Sequence, residues 1–405
     1  MSSILPSVTR VVSGMRATGK LHLGHYHGVL KNWVRLQHEY DCLFFVADWH
    51  ALTTHYEDPS VVGQSVREMV IDWIAAGVDA NGVTLFVQSD VPQHAELHLL
   101  LSMMTPLSWL ERVPTYKDQQ ARLREHDLAT YGFLGYPLLQ TADILAYRAA
   151  FVPVGEDQVA HIEFSREVAR RFNFLYGREP GFVERAEEAL RKMGRKPAKA
   201  YKELRTSYLE QGTVESLDTA RALIERQPNM ALGDKERLLG YLEGHGRLIL
   251  TEPQAMLTPQ SRMPGLDGQK MSKSYGNTIA LREAPDEVAS KIKTMPTDPN
   301  RKRRTDAGDP ALCPVWPFHE IYSPEGVKAW VQAGCRSAGI GCLECKQPVI
   351  DAINGELAPI RERARELEKD ATYIRNILTE GSRRARDLAE ETLTDVRRGM
   401  GLAWE

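Results

Sequence analysis

Short β-branched or aromatic runs alternate with helical periodicity through the first 180 residues, and that alternation leaves few folds open. Val8 to Val12, Cys42 to Ala47, Thr84 to Gln88 and Phe151 to Val154 read as strands, while Val62, Val66, Val70, Trp73 and Ile74 recur at helical spacing between two of them. The expectation is an α/β fold on a parallel sheet with right-handed crossovers. From about Glu179 to Thr251 the chain turns charged and rich in Ala and Leu, broken by Gln227-Pro228-Asn229 and Gly244-His245-Gly246, which predicts a helical insertion. Strand-like sequence resumes near Glu252 and ends around Leu281, and the remainder reads as mainly helical. The expected division is an α/β domain over 1–178, a helical insertion over 179–251, the α/β domain continued over 252–283 and a separate helical domain over 284–405. A length of 405 residues suits two or three domains.

Charge narrows the partners. Fifty-one basic residues against 54 acidic ones give −3, which excludes a protein that coats nucleic acid with bulk charge and leaves room for a local basic patch. The longest apolar stretches are strand-sized, and Met1 to Gly14 lacks the basic end and long apolar run of a secretory signal, so a soluble, cytoplasmic chain without membrane partners is expected. Five cysteines do not make a disulfide scaffold in a chain this long, yet four of them follow Leu312.

After the first strand, Gly14-Met15-Arg16-Ala17-Thr18-Gly19-Lys20 satisfies the G-x4-G-K part of a P-loop, but Leu21 stands where that loop needs a Mg²⁺-binding hydroxyl. His22-Leu23-Gly24-His25 follows, at the start of a helix expected to run from Gly24 to about Tyr40. Free N–H groups and the positive dipole end favour phosphate there, and two imidazoles can donate to a phosphoryl group. Surface histidines, or a metal cluster with His27, are the alternatives. Downstream, Lys270-Met271-Ser272-Lys273-Ser274 follows the glycine-rich Pro264 to Gly268. An exact match of that kind arises by chance in about one chain in ten thousand of this length; otherwise it is a solvated basic loop.

Together the two motifs resemble the His-x-Gly-His and Lys-Met-Ser-Lys-Ser signatures of class I aminoacyl-tRNA synthetases, which bind ATP on a Rossmann-like sheet. Ala47-Asp48-Trp49-His50-Ala51-Leu52-Thr53-Thr54, Tyr136 to Leu145, Val152 to Gln158, Arg303-Arg304-Thr305-Asp306 and Ala385 to Ala389 are similar to the tryptophanyl-tRNA synthetase family, a likeness that fails only across Glu179 to Thr251. The resemblance implies ATP-dependent activation of L-tryptophan and its transfer to tRNA(Trp), with Mg²⁺ accompanying ATP and a homodimer as the assembly. It gives Arg16, Thr18, His22, Gly24, His25, Gly155, Asp157, Lys270, Met271, Ser272, Lys273 and Ser274 to ATP, with Lys117 a further catalytic candidate. Asp143 would accept the indole N–H, Val152 and Val154 line the slot, and Tyr136, Gln158 and His50 hold or flank the α-amino end. Gln140 departs from the methionine often found there. Indole chemistry agrees, since a side chain with one donor and a large apolar surface needs one buried acceptor in an apolar slot. A tyrosyl-type enzyme, a noncatalytic tRNA-binding paralogue and a P-loop NTPase are the competing readings.

Cys313, Cys335, Cys342 and Cys345 form a set of four soft ligands ending in a C-x2-C pair, suited to zinc or an iron–sulfur cluster, with free thiols as the alternative. The resemblance favours [4Fe–4S] in an anticodon-binding C-terminal domain. Arg301-Lys302-Arg303-Arg304 is a solvated run or a contact for tRNA phosphates.

Overall fold

The structure, a computed structural model, describes residues 9–113, 130–177, 181–211, 213–244, 246–258 and 263–403. Five parallel strands form one sheet: β1 (Arg10–Arg16), β2 (Asp41–Ala47), β3 (Thr84–Val87), β4 (Phe151–Val154) and β5 (Gln254–Leu257), in the order β3-β2-β1-β4-β5. The order reverses between β1 and β4, so their carboxyl ends open the crevice where ligands bind on doubly wound sheets. Strand β1 starts two residues later than the sequence predicted and runs on to Arg16, because Ser13 and Gly14 still pair with Phe44 and Phe45. Gly14 permits this: a Cβ there would lie 2.3 Å from the Phe45 ring. Strand β3 ends at Val87, since Gln88 enters a 3₁₀ turn, Gln88–Asp90.

Both sheet faces are covered, which is why the strands read as continuous apolar runs rather than alternating ones. On one face Val11, Phe44 and Val46 pack with Trp33 and Trp73, the Trp33 ring stacking on Phe44 at 4.1 Å. On the other, Val12, Leu43, Phe45 and Phe86 pack with Leu138, Ile144 and Tyr147. The helix expected from Gly24 to Tyr40 is instead a single turn (Leu23–His25), a π turn (Tyr26–Leu30) and a helix ending at Leu36 (Lys31–Leu36). A π turn adds one residue per hydrogen-bonded ring and is frequent at functional sites.

The insertion is helical as expected, with helices Phe182–Lys192, Arg195–Gln211, Val214–Glu225 and Leu232–Leu242. It has its own core of Leu190, Tyr201, Ala220, Ile224, Leu238 and Leu242, and the Tyr201 hydroxyl donates to the Leu238 carbonyl at 2.6 Å. The C-terminal helices do not. Val349, Ile353, Leu357 and Ile360 of the Cys342–Lys369 helix join the first sheet cluster. Ala385, Ala389, Leu393 and Val396 of the Ala371–Gly399 helix join the second. Gly381 backs onto β3 so closely that a Cβ would lie 1.8 Å from the Leu85 carbonyl oxygen. Among the described residues, helices after residue 283 thus pack against the clusters on both faces of the sheet. Among the described residues no helix is long and apolar enough to cross a membrane.

Candidate active site

The loop leaving β1 is pinned on the floor of the crevice. Gly19, at φ +94°, donates its N–H to Ser65 Oγ at 2.7 Å. Leu21 is buried in the core, which explains physically why no hydroxyl stands there and removes the P-loop reading. His22 is extended at φ −133° and caps the turn, its Nδ1 accepting from Gly24 N–H at 3.1 Å while its own N–H donates to His25 Nδ1 at 3.2 Å. The two rings lie 3.8 Å apart. Burial first, then the charge of Lys273, pushes His22 down to about 4; burial, His22 and Lys273 push His25 well below the ordinary imidazole range. Both imidazoles are neutral near pH 7. With both Nδ1 atoms used as acceptors, the hydrogen-bond network assigns the protons to Nε2, leaving two N–H donors. Gly24 is required by the motif itself, since a Cβ would lie 2.9 Å from the His22 ring. His27 turns away to Glu356 Oε2, at 2.9 Å, and the Tyr322 hydroxyl, at 3.0 Å, so these histidines do not converge on a metal.

The two signatures are stitched together. Leu23 N–H donates to Ile279 O and Leu281 N–H to Leu21 O, each at 3.1 Å. Lys273 Nζ donates to the Thr18 and Gly19 carbonyls at 3.0 and 2.9 Å. Burial, with Arg16 adding and Asp72 opposing, pushes Lys273 down to about 8. Met271 is buried, Ser272 and Lys273 are half-buried and Lys270 is exposed at the mouth. The organiser of this loop is Asn277, which the sequence did not single out. Its Oδ1 accepts from Ser272 N–H at 2.8 Å, and its Nδ2 donates to Asp267 Oδ1 at 2.7 Å and Lys270 O at 3.2 Å. Gly265 leaves room for it, because a Cβ would fall 2.1 Å from Asn277 Nδ2. Ser274 belongs to the one-turn Lys273–Tyr275 helix, and Lys117 lies outside the described residues.

Across the switch point stands Asp143, on the Tyr131–Leu145 helix and 0 % exposed. His50 Nε2 donates to its Oδ2 at 2.7 Å; Gln88 Nε2 and His94 Nδ1 donate to its Oδ1 at 2.8 and 2.5 Å. His94 Nε2 meets the Tyr147 hydroxyl at 2.5 Å. Burial raises a lone carboxyl, but the charge of His94 and the hydrogen bond and charge of His50 outweigh it and hold Asp143 well below the usual carboxylate range. A carboxylate offers about four acceptor positions, so these three donors leave one unfilled. Gln88, His94 and Tyr147 were not picked from the sequence. His50, which the resemblance gave to the α-amino end, instead bonds Asp143 directly, and the Tyr136 ring lies 6.5 Å from the His50 ring and 5.7 Å from that of His161. Val152 and Val154 are buried on the same sheet face, whereas Gln140 and Gln158 are half-buried and Gln158 donates to Asp157 at 3.2 Å. Gly155 caps the Glu156–Gln158 turn at the end of β4, and Asp157 is exposed there. Arg16 and Thr18 lie at the end of β1 between the halves, the charge of Arg16 reaching both Tyr136 and Lys273. A cavity of about 340 Å³ opens beside Tyr136, lined by Trp49, Leu52, Tyr56, His98 and Leu139 among others; it does not reach the enclosed Asp143.

Among the described residues no group of three or more His, Cys, Asp or Glu stands close enough to hold a metal ion. Even so, Cys313, Cys335, Cys342 and Cys345 lie within electrostatic reach of one another. Burial first, then the other three thiols, pushes Cys345 up to about 12.

Residues 7–194 and 220–358 match the family described as tRNA synthetases class I (W and Y). The chain is 64 % identical over 395 residues to a tryptophan–tRNA ligase of Ralstonia nicotianae, spanning 98 % of this chain and 99 % of that one. It is 42 % identical over 395 residues to a tryptophan–tRNA ligase of Thermotoga maritima, spanning 97 % and 99 %. The fold is similar to that of tryptophanyl-tRNA synthetase from Campylobacter jejuni complexed with ADP and tryptophan, with a TM-score of 0.71 and 25 % identity over 97 % of this chain and 100 % of that one. The chain belongs to the class I tRNA synthetases, in the group that serves tryptophan and tyrosine.

Proposed function

We infer that this protein is a tryptophan–tRNA ligase, which joins L-tryptophan to ATP as tryptophanyl-adenylate with release of pyrophosphate and then transfers tryptophan to tRNA(Trp). The observation that carries the reading is the pairing, across one switch point, of a neutral two-histidine anion site locked to an ammonium loop with a buried carboxylate in an apolar wall. Tryptophan's carboxylate oxygen attacks the α-phosphorus, the bond from that phosphorus to the bridging oxygen breaks, and pyrophosphate departs with its charge. The Nε2–H groups of His22 and His25 donate to phosphate oxygens, and Lys273 exchanges two carbonyl partners for the charge building toward pyrophosphate, with Lys270 at the mouth beside it. Mg²⁺ enters with ATP through phosphate oxygens and water. Asp143, held as a carboxylate, accepts the indole N–H. By the family resemblance Gly155 and Asp157 would take the ribose and Tyr136 and Gln158 the α-amino end, while His50 would hold the Asp143 carboxylate that it bonds. No covalent enzyme intermediate is needed. The purified protein is expected to charge tRNA with tryptophan and not with tyrosine; tyrosine charging would overturn the assignment.

The four late cysteines are assigned a [4Fe–4S] cluster. Support comes from the donor chemistry: four thiols within electrostatic range of one another, though not gathered closely enough to hold a metal as they stand, with Cys342 and Cys345 in the first turn of one long helix and Cys345 held protonated unless a metal displaces the proton. Protein purified without oxygen is expected to be brown, with about four iron and four sulfide per chain. Cys342→Ser is then expected to impair tRNA charging more than pyrophosphate exchange. Zinc without sulfide, or no metal, would return the set to a zinc site or to free thiols.

A further inference from the structure

The helical insertion carries a basic face that the activation chemistry does not use. From Arg191 to Lys202 stand Arg191, Lys192, Arg195, Lys196, Lys199 and Lys202, with no acidic residue among them, in a chain whose net charge is −3. Arg195, Lys199 and Lys202 recur at helical spacing along the Arg195–Gln211 helix and share one exposed face. The opposite face carries Tyr201, Leu204 and Tyr208 into the insertion's own core. Lys192 is held by Asp234 at 2.7 Å, and Lys199 meets Glu203 only loosely, at 3.8 Å in solvent. Arg195, Lys196 and Lys202 have no acidic partner among the described residues.

This face is not tethered loosely. Glu236, on the Leu232–Leu242 helix, bonds Arg148 at 2.6 Å and Arg247 at 2.7 Å, and the same two arginines bond Asp395 of the last helix at 2.6 and 2.9 Å. Gly240 abuts the Gly246 carbonyl, where a Cβ would lie 1.6 Å away. The basic helix is therefore fixed relative to the sheet. It also falls within residues 195–219, between the two segments that match the family model.

We propose that the Arg195, Lys199 and Lys202 face binds the phosphate backbone of the tRNA substrate, supplying affinity without reading sequence. Charge complementarity selects this occupant, since tRNA is the polyanion the enzyme must hold beyond ATP, and three like charges on one rigid face attract a phosphodiester chain by counterion release. The proposal rests on the tRNA-charging reading. The test is the triple variant Arg195→Ala, Lys199→Ala, Lys202→Ala, compared with the unaltered protein in tryptophan-dependent pyrophosphate exchange, in tRNA charging and in direct tRNA binding across a salt series. Exchange is expected to be unchanged, the KM for tRNA to rise about tenfold with kcat nearly constant, and the salt dependence of tRNA binding to flatten by about two to three logarithmic units per decade of salt. Unchanged tRNA KM and salt dependence would overturn the proposal, and equal loss of exchange would make the face a support for the fold. Failure of the unaltered protein to catalyse exchange would instead strike the tRNA-charging reading, while its tRNA binding would still judge this face.

Discussion

Replacing Lys273 with alanine is expected to slow adenylate formation by about two to three orders of magnitude, the usual cost of removing one preorganised donor from developing charge. Equilibrium binding of tryptophan should hardly change, because Lys273 contacts the Thr18 and Gly19 carbonyls on the phosphate side of the crevice and not the Asp143 network. A pH signature accompanies the loss. Burial pushes the Lys273 ammonium down to about 8, so in the free enzyme it is largely protonated below that pH and neutral above it. Only the protonated form carries charge to the phosphates, so kcat/KM for ATP should fall as pH rises through about 8 in the unaltered enzyme, and this limb should be missing from Lys273→Ala. Equal losses in tryptophan affinity and rate, or a limb that survives the substitution, would make the loop lysine structural.

Asp143→Asn is expected to raise the KM for tryptophan by about ten- to a hundredfold while leaving the KM for ATP within a factor of about two, because a hydrogen bond to a charged acceptor contributes about 1.5 to 3 kcal/mol. Asparagine is the informative change. Alanine would strand His50, Gln88 and His94 around a buried gap, and breaking a network of this kind costs about 3 to 5 kcal/mol of stability. Asparagine keeps the size and one acceptor oxygen for Gln88 or His94 but turns an amide N–H₂ toward His50 or the indole. Unaltered tryptophan kinetics in Asp143→Asn would remove Asp143 from indole recognition.

The strands were readable because a sheet covered on both faces forces runs such as Cys42 to Ala47 to be apolar throughout. The two signatures were readable because each concentrates its chemistry within five residues. What escaped the sequence is what the fold assembles from afar. His94 and Gln88 lie 49 and 55 residues from Asp143, and His94 sits in the apolar helix Gln93–Ser102, where it reads as an ordinary core position. Asn277 sits just past the lysine loop and gives no local sign that its amide spans it. The partner of an amphipathic helix is equally silent: Ala385, Ala389 and Leu393 announce an apolar stripe but not that the sheet receives it. The π turn at Tyr26–Leu30 has no sequence signature of its own, though His27 at its second position is fixed by Glu356, 329 residues away.

The central claim is that this site activates tryptophan with ATP, and exchange of labelled pyrophosphate into ATP measures that step without tRNA. The account predicts rapid exchange that requires tryptophan and Mg²⁺, is not supported by tyrosine, and collapses in Lys273→Ala. Exchange driven by tyrosine, or ATP hydrolysis that proceeds without any amino acid, would contradict it.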